Sequence, residues 1–226
     1  MCCKGSWIRC WRSVAETPTH RFVAILRELR VHQVDFIVVG GVAAVLDGAP
    51  VNTFDLDVVH SREPGNIARL LAALESLDAR YRTQLGSRLK PDASHLTSAS
   101  HQLLLTRFGP LDVLGAVGRE RVCDDLLSHT IEIDVGQDLC VRVLNLEMLI
   151  AVKEEVAGEK DLAVLPVLRR TLEEKRRASG NGGTATRYNL LRACAPASRR
   201  TPAPARKRST SRESPARREW ARPPRR

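Results

Sequence analysis

Residues Phe36 to Leu46 form an 11-residue stretch that is apolar or glycine throughout, with Gly40-Gly41 near its middle. It is too short to span a bilayer. Its first part is rich in β-branched residues and bounded by the glycines, which predicts a buried strand over Val34–Val39. The second part predicts a short helix over Gly41–Leu46, stopped by Asp47-Gly48-Ala49-Pro50. A further apolar run, Phe54 to Val59, reads as the next strand and carries Asp55 and Asp57 one residue apart. Acids set among apolar neighbours are costly to leave unpaired, so this strand demands a partner for its charge.

Alternation in a strand puts residues i and i+2 on one face, about 6–7 Å apart. Asp55 and Asp57 are therefore expected to project together while Phe54, Leu56 and Val58 pack inward. Two carboxylates so placed can hold Mg²⁺ ions for in-line phosphoryl displacement, because magnesium takes a few carboxylates plus substrate phosphates rather than a full protein cage. Gly40-Gly41 stands where a strand turns into a helix, a place where backbone N–H groups can meet phosphate oxygens. A lone Asp-x-Asp or a lone Gly-Gly is common. The informative feature is their order, with 14 residues from Gly41 to Asp55.

Charge divides the chain. The 226 residues carry a formal net charge of +10. Arg176 to Arg226 holds 15 Lys/Arg against 2 Asp/Glu, while Met1 to Lys175 is close to neutral at −3. The high pI therefore describes a tail rich in Arg, Ser, Pro and Ala, expected to be disordered for lack of apolar residues. Three zones result: an irregular Cys/Trp/Arg-rich leader over 1–15, a domain over 16–175, and the tail over 176–226. The six cysteines show no metal or disulfide spacing, which predicts free thiols. No secretion signal is recognisable at the N-terminus, so a cytoplasmic protein with no membrane segment is expected.

Within the domain, helices are predicted over Arg21–Val31, Pro64–Leu77, Leu146–Val156 and Asp161–Leu172, the last two separated or kinked near Gly158. Residues 82–100 read as irregular loop. Hairpins are predicted for His101–Phe108 with Leu111–Ala116 across Gly109-Pro110, and for Thr130–Val135 with Leu139–Val143 across Gly136-Gln137. The sum is a mixed α/β domain with a helical end.

The motif Gly40-Gly41, short helix, Asp55-Leu56-Asp57 resembles the nucleotidyltransferase superfamily of the DNA polymerase β type, especially its minimal AbiEii-like and MenT-like toxins. The resemblance covers roughly residues 20 to 175. It implies an α+β fold with a mixed sheet flanked by helices, and transfer of a nucleoside monophosphate from an NTP with Mg²⁺, or Mn²⁺ in its place. The implied partners are the NTP, an RNA, protein or small-molecule acceptor, and a cognate antitoxin. By the same resemblance Asp55 and Asp57 are metal ligands and Asp112 is a third carboxylate, although a turn-proximal aspartate would look the same. Gly40, Gly41 and Thr53 fall at nucleotide-binding positions, with Thr53 equally suited to capping the turn. Lys153 and the later Lys160 and Asp161 match a lysine and aspartate pattern near a downstream helix. One position departs: relatives place an arginine two residues before the threonine, where this chain has Val51.

Three other readings remain at this stage. The domain could be a nucleotidyltransferase-like protein without chemistry, for which Val51 is the support. A glycosyltransferase using Asp-x-Asp would leave the diglycine unexplained in a core of this size. Nucleic-acid binding through the basic tail lacks aromatic residues for stacking.

Overall fold

The β-branched run before the diglycine does form a fully buried strand, and the rest of the domain is arranged around it. In the computed structural model, which describes residues 18–82 and 89–180, the order begins with α1 (Pro18–Val31), β1 (Phe36–Val39), α2 (Gly40–Leu46), β2 (Leu56–His60) and α3 (Pro64–Ser76). It continues with β3 (Arg80–Tyr81), α4 (Ala93–Thr97), β4 (His101–Thr106), β5 (Gly109–Leu114) and α5 (Cys123–Leu126). A 3₁₀ turn at Leu127–His129, β6 (Thr130–Asp134), β7 (Cys140–Leu144), α6 (Leu146–Val156) and α7 (Glu159–Gly180) complete it. The leader and the tail beyond residue 180 lie outside the described residues. Arg176–Gly180, expected in the tail, instead form the last turns of α7.

The seven strands make one mixed sheet in the order β3-β4-β5-β2-β1-β7-β6. β2 runs antiparallel to β1 and parallel to β5, and β1 runs parallel to β7. All four residues of β1 are buried, as are Leu56, Val58, Val59 and His60 of β2. Residues of both parities are thus covered, the signature of a central strand packed on both faces. The helices supply that cover because their apolar residues recur at helical spacing: Ile25, Leu26 and Leu29 on α1, and Ile67, Leu70 and Leu74 on α3, are all buried. Pro64 starts α3, where its missing N–H costs nothing. His60 is buried at the far end of β2 from the acids, with Nδ1 3.1 Å from Ser61 O. Burial pushes its pKa down.

Two local expectations are corrected. The segment 82–100 is not loop throughout: α4 lies within it, its Asp92 side chain accepting the His95 N–H at 3.1 Å. In the β4–β5 hairpin, Thr106 pairs with Gly109, so Arg107-Phe108 make the turn and Gly109-Pro110 begin the strand. The cause is Thr106 Oγ1, which accepts the N–H of Phe108 and of Gly109 and donates to Gly109 O at 2.8 Å. Among the cysteines, Cys123 is a buried free thiol, whereas Cys140 is disulfide-bonded, contrary to the expectation of free thiols throughout. Among the described residues no helix is long and apolar enough to cross a membrane.

The helical end is pinned to the sheet through Asp47, which closes α2. Its carboxylate, 6% exposed, accepts the Leu146 N–H at 3.0 Å and pairs with Lys175 on α7. One buried acid thereby joins α2, the start of α6 and α7. Asp47→Ala should lower stability by about 1–3 kcal/mol, chiefly because it strands the buried Leu146 N–H, Lys175 being half-exposed. Urea denaturation followed by circular dichroism will measure it.

Candidate active site

A single row of residues crosses the sheet and ends at the diglycine. Val39 on β1 lies opposite Asp57 on β2, Asp57 opposite Asp112 on β5, and Asp112 opposite Leu103 on β4. Arg82, just past β3, donates its N–H to Leu103 O at 3.1 Å and so extends the row. Positions directly opposite on neighbouring strands share a face. Register alone therefore sets Asp57, Asp112 and Arg82 side by side, although they are distant in sequence.

The chain after Val39 turns at Gly40 with φ +66°, and the Asp57 carboxylate rests on that turn. A Cβ at Gly40 would lie 2.0 Å from Asp57 Oδ2, and one at Gly41 would lie 2.6 Å from both Cβ and Oγ1 of Thr53. Both glycines are thus required to seat the acidic segment, a role sequence reading had not assigned them. Thr53 acts on Asp55: its hydroxyl lies 3.1 Å from Asp55 O and 3.3 Å from Asp55 Oδ1. This side-chain turn breaks the expected strand alternation. β2 begins only at Leu56, Asp55 sits on the bend before it, and Phe54, expected to pack inward, stands 82% exposed.

The acids are close enough to act on one another. Burial, with the charges of Asp55 and Asp112, pushes Asp57 up to a pKa of about 7, against the opposing pull of Lys153 and Arg82. Burial also raises Asp112, with Arg82 pulling it back. Asp112, its side chain 9% exposed, is held through one nitrogen: Arg82 Nη2 reaches Oδ1 at 2.5 Å and Oδ2 at 2.7 Å. Among the described residues no three His, Cys, Asp or Glu side chains are grouped to hold a metal ion by themselves. The donor set available to a metal is Asp55 and Asp57, with further oxygens to come from a substrate. That fits magnesium, which completes its shell with phosphates and water.

Lys153 on α6 joins this group, its charge acting on Asp57. Its ammonium pairs with Asp161 at 2.5 Å and its side chain is 18% exposed, so the lysine and aspartate singled out in sequence do meet. Lys160 does not join them: it is exposed on the first turn of α7. Arg82 is the functional candidate that sequence reading missed. It lies in a polar stretch without motif, and only the pairing of β3, β4 and β5 reveals its position.

No protein-family model matches the sequence, and no curated protein matches it. Among solved structures the chain is similar to the antibiotic-resistance factor ANT(2″)-Ia, with 16% identity, a TM-score of 0.47, and coverage of 73% of this chain and 91% of that one. It is also similar to a Thermotoga maritima protein provisionally described as a nucleotidyltransferase, with 16% identity, a TM-score of 0.39, and coverage of 71% and 90%. At this level of likeness the chemistry has to be argued from the side chains themselves.

Two outcomes test the geometry. Gly40→Ala should destabilise the protein by about 2–5 kcal/mol, from the left-handed backbone and the clash with Asp57 together, and should weaken Mn²⁺ binding at least ~10-fold if Asp57 is a ligand (calorimetric titration against wild type). The second concerns pH. The folded state keeps the Asp57 proton to about 7, while the unfolded chain releases it near 3.8. Stability from this group is therefore present at low pH and lost as pH rises towards 7, by up to about 4 kcal/mol. Metal-free Asp57→Asn should accordingly be more stable than wild type at pH 7, with the difference shrinking towards pH 4, as thermal melts at each pH will show.

Proposed function

We propose that the protein is a metal-dependent nucleotidyltransferase, moving a nucleoside monophosphate from an NTP to a hydroxyl of an RNA, protein or small-molecule acceptor. The observation that carries this reading is the seat of Asp57. Asp55, Asp57 and Asp112 act on one another beside a diglycine turn, and burial together with the charges of Asp55 and Asp112, only partly offset by Lys153 and Arg82, holds Asp57 at a pKa of about 7. Such a cluster is stabilised by an arriving cation and strained without one.

Asp55 and Asp57 would hold the ion, with Thr53 fixing the orientation of Asp55. A bound Mg²⁺, or Mn²⁺ in its place, would supply Lewis-acid stabilisation of the phosphates and a lower pKa for the acceptor hydroxyl. Gly40 and Gly41 place the bare backbone of the β1–α2 turn beside the acids, where triphosphate oxygens would lie. Lys153, steadied by Asp161, offers an ammonium to the same charge, and Lys160 would act only from the rim. Asp112 is the third acid of the site; with Arg82 seated on both of its oxygens it is assigned to the acceptor proton rather than to the metal. In the reaction the acceptor oxygen bonds to the α-phosphorus, the bond to the bridging oxygen breaks, and pyrophosphate departs. The exposed ring of Phe54, next to Asp55, is placed to stack on a base.

The finer reading, a toxin of the AbiEii-like or MenT-like group with a cognate antitoxin, is supported by the Lys153–Asp161 pair at 2.5 Å. A second reading, a nucleotide-binding protein without transfer, is favoured by Val51 in place of the relatives' arginine. Pyrophosphate release separates the two.

Incubation with four labelled NTPs, Mg²⁺ and total cell RNA or protein should label an acceptor and release pyrophosphate. Asp55→Ala/Asp57→Ala should lose at least ~10³-fold of that rate with an unchanged circular dichroism spectrum. Equal transfer by the double variant would remove the proposed site.

A further inference from the structure

Arg82 does not hold Asp112 as arginine usually holds a carboxylate. The common arrangement is a fork, two parallel N–H···O bonds from two nitrogens. Here one nitrogen, Nη2, straddles both oxygens at 2.5 and 2.7 Å. Both carboxylate oxygens of Asp112 are thus occupied by a single guanidinium nitrogen. The row of opposed residues explains how it arises, because Arg82 reaches across the β4 position of Leu103 to Asp112, in the same row as Asp57.

Resting on the nucleotidyltransferase reading, we propose that the site takes one divalent cation, on Asp55 and Asp57, and that the Arg82 guanidinium occupies the place of a second, seated on Asp112. Two-metal phosphoryl-transfer sites set a positive centre on each side of the reacting phosphorus. In this chain one of those centres is covalently part of the protein.

Among the described residues no three His, Cys, Asp or Glu side chains are grouped to hold a metal ion, and Asp112 is paired with Arg82. Arg82 also closes the strip of sheet that β3 adds beside β4, so its placement is set by register and not by a free surface side chain.

The test counts metal and needs no turnover. Each protein is saturated with a non-hydrolysable NTP analogue and titrated with Mn²⁺, with free Mn²⁺ read by electron paramagnetic resonance. Wild type should bind one Mn²⁺ per chain, Arg82→Gln two, and Arg82→Gln/Asp112→Asn one again. Asp112→Asn alone, close in shape to the native side chain and expected to fold, should still bind one, with affinity within ~10-fold of wild type. Two Mn²⁺ on wild type, one on folded Arg82→Gln, or a larger loss of affinity in Asp112→Asn would each overturn the assignment of Arg82 while leaving the transferase reading in place. No Mn²⁺ on wild type, with nucleotide present, would overturn both.

Discussion

The volume that a side chain at position 40 would fill is occupied by the carboxylate of Asp57, and the upper part of this sheet is organised around that contact. It requires glycine at the turn and holds β1 and β2 in the register that pairs Val39 with Asp57. The same register, carried through the parallel β2–β5 pair, sets Asp112 beside Asp57. A neighbouring contact of the same kind, Thr53 against Gly41, lies ahead of the bend before β2, and Asp55 on that bend is near enough for its charge to raise Asp57. The acids are therefore not decorations on a finished sheet, because their positions and the backbone geometry are one solution.

This solution is electrostatically uncomfortable. Burial first, and then the charges of Asp55 and Asp112, raise Asp57, and the nearby cations Lys153 and Arg82 offset only part of that rise. A protein selected for stability alone would replace such a corner with apolar packing. This corner stands next to an otherwise apolar core, with β1 entirely buried and β2 nearly so, and on the proposed reading it is the place where a metal-bound nucleotide would sit. Strain of this kind is relieved by a multivalent cation and its phosphate companions. Lys153 and Arg82 temper the corner without neutralising it.

Much of the architecture was legible in the chain because it depends on short-range pattern. Phe22, Ile25, Leu26 and Leu29 recur at helical spacing, and α1 follows from them. The β-branched run to Val39 and the stop at Asp47-Gly48 bound β1 and α2. The failures are equally specific. Gly109-Pro110 looked like a turn, yet Thr106 moves the turn to Arg107-Phe108 by bonding three backbone groups with one hydroxyl. Phe54 looked buried by alternation, yet the Thr53 bond to Asp55 holds a bend there and the strand begins only at Leu56. Each error came from a side chain competing with the backbone pattern, an effect that periodicity does not register.

By itself the sequence determined that a buried strand ends in a diglycine, that two aspartates follow in an apolar setting, and that positive charge is concentrated in the tail. These are properties of composition and of spacing along a few residues. Only the tertiary structure decided that Asp112 and Arg82 stand in the row of Asp57, that Lys153 is tied to Asp161, and that Lys160 is left outside. Strand register and helix packing make those choices, and both are set by burial and hydrogen bonding between segments far apart in the chain, which no local pattern encodes.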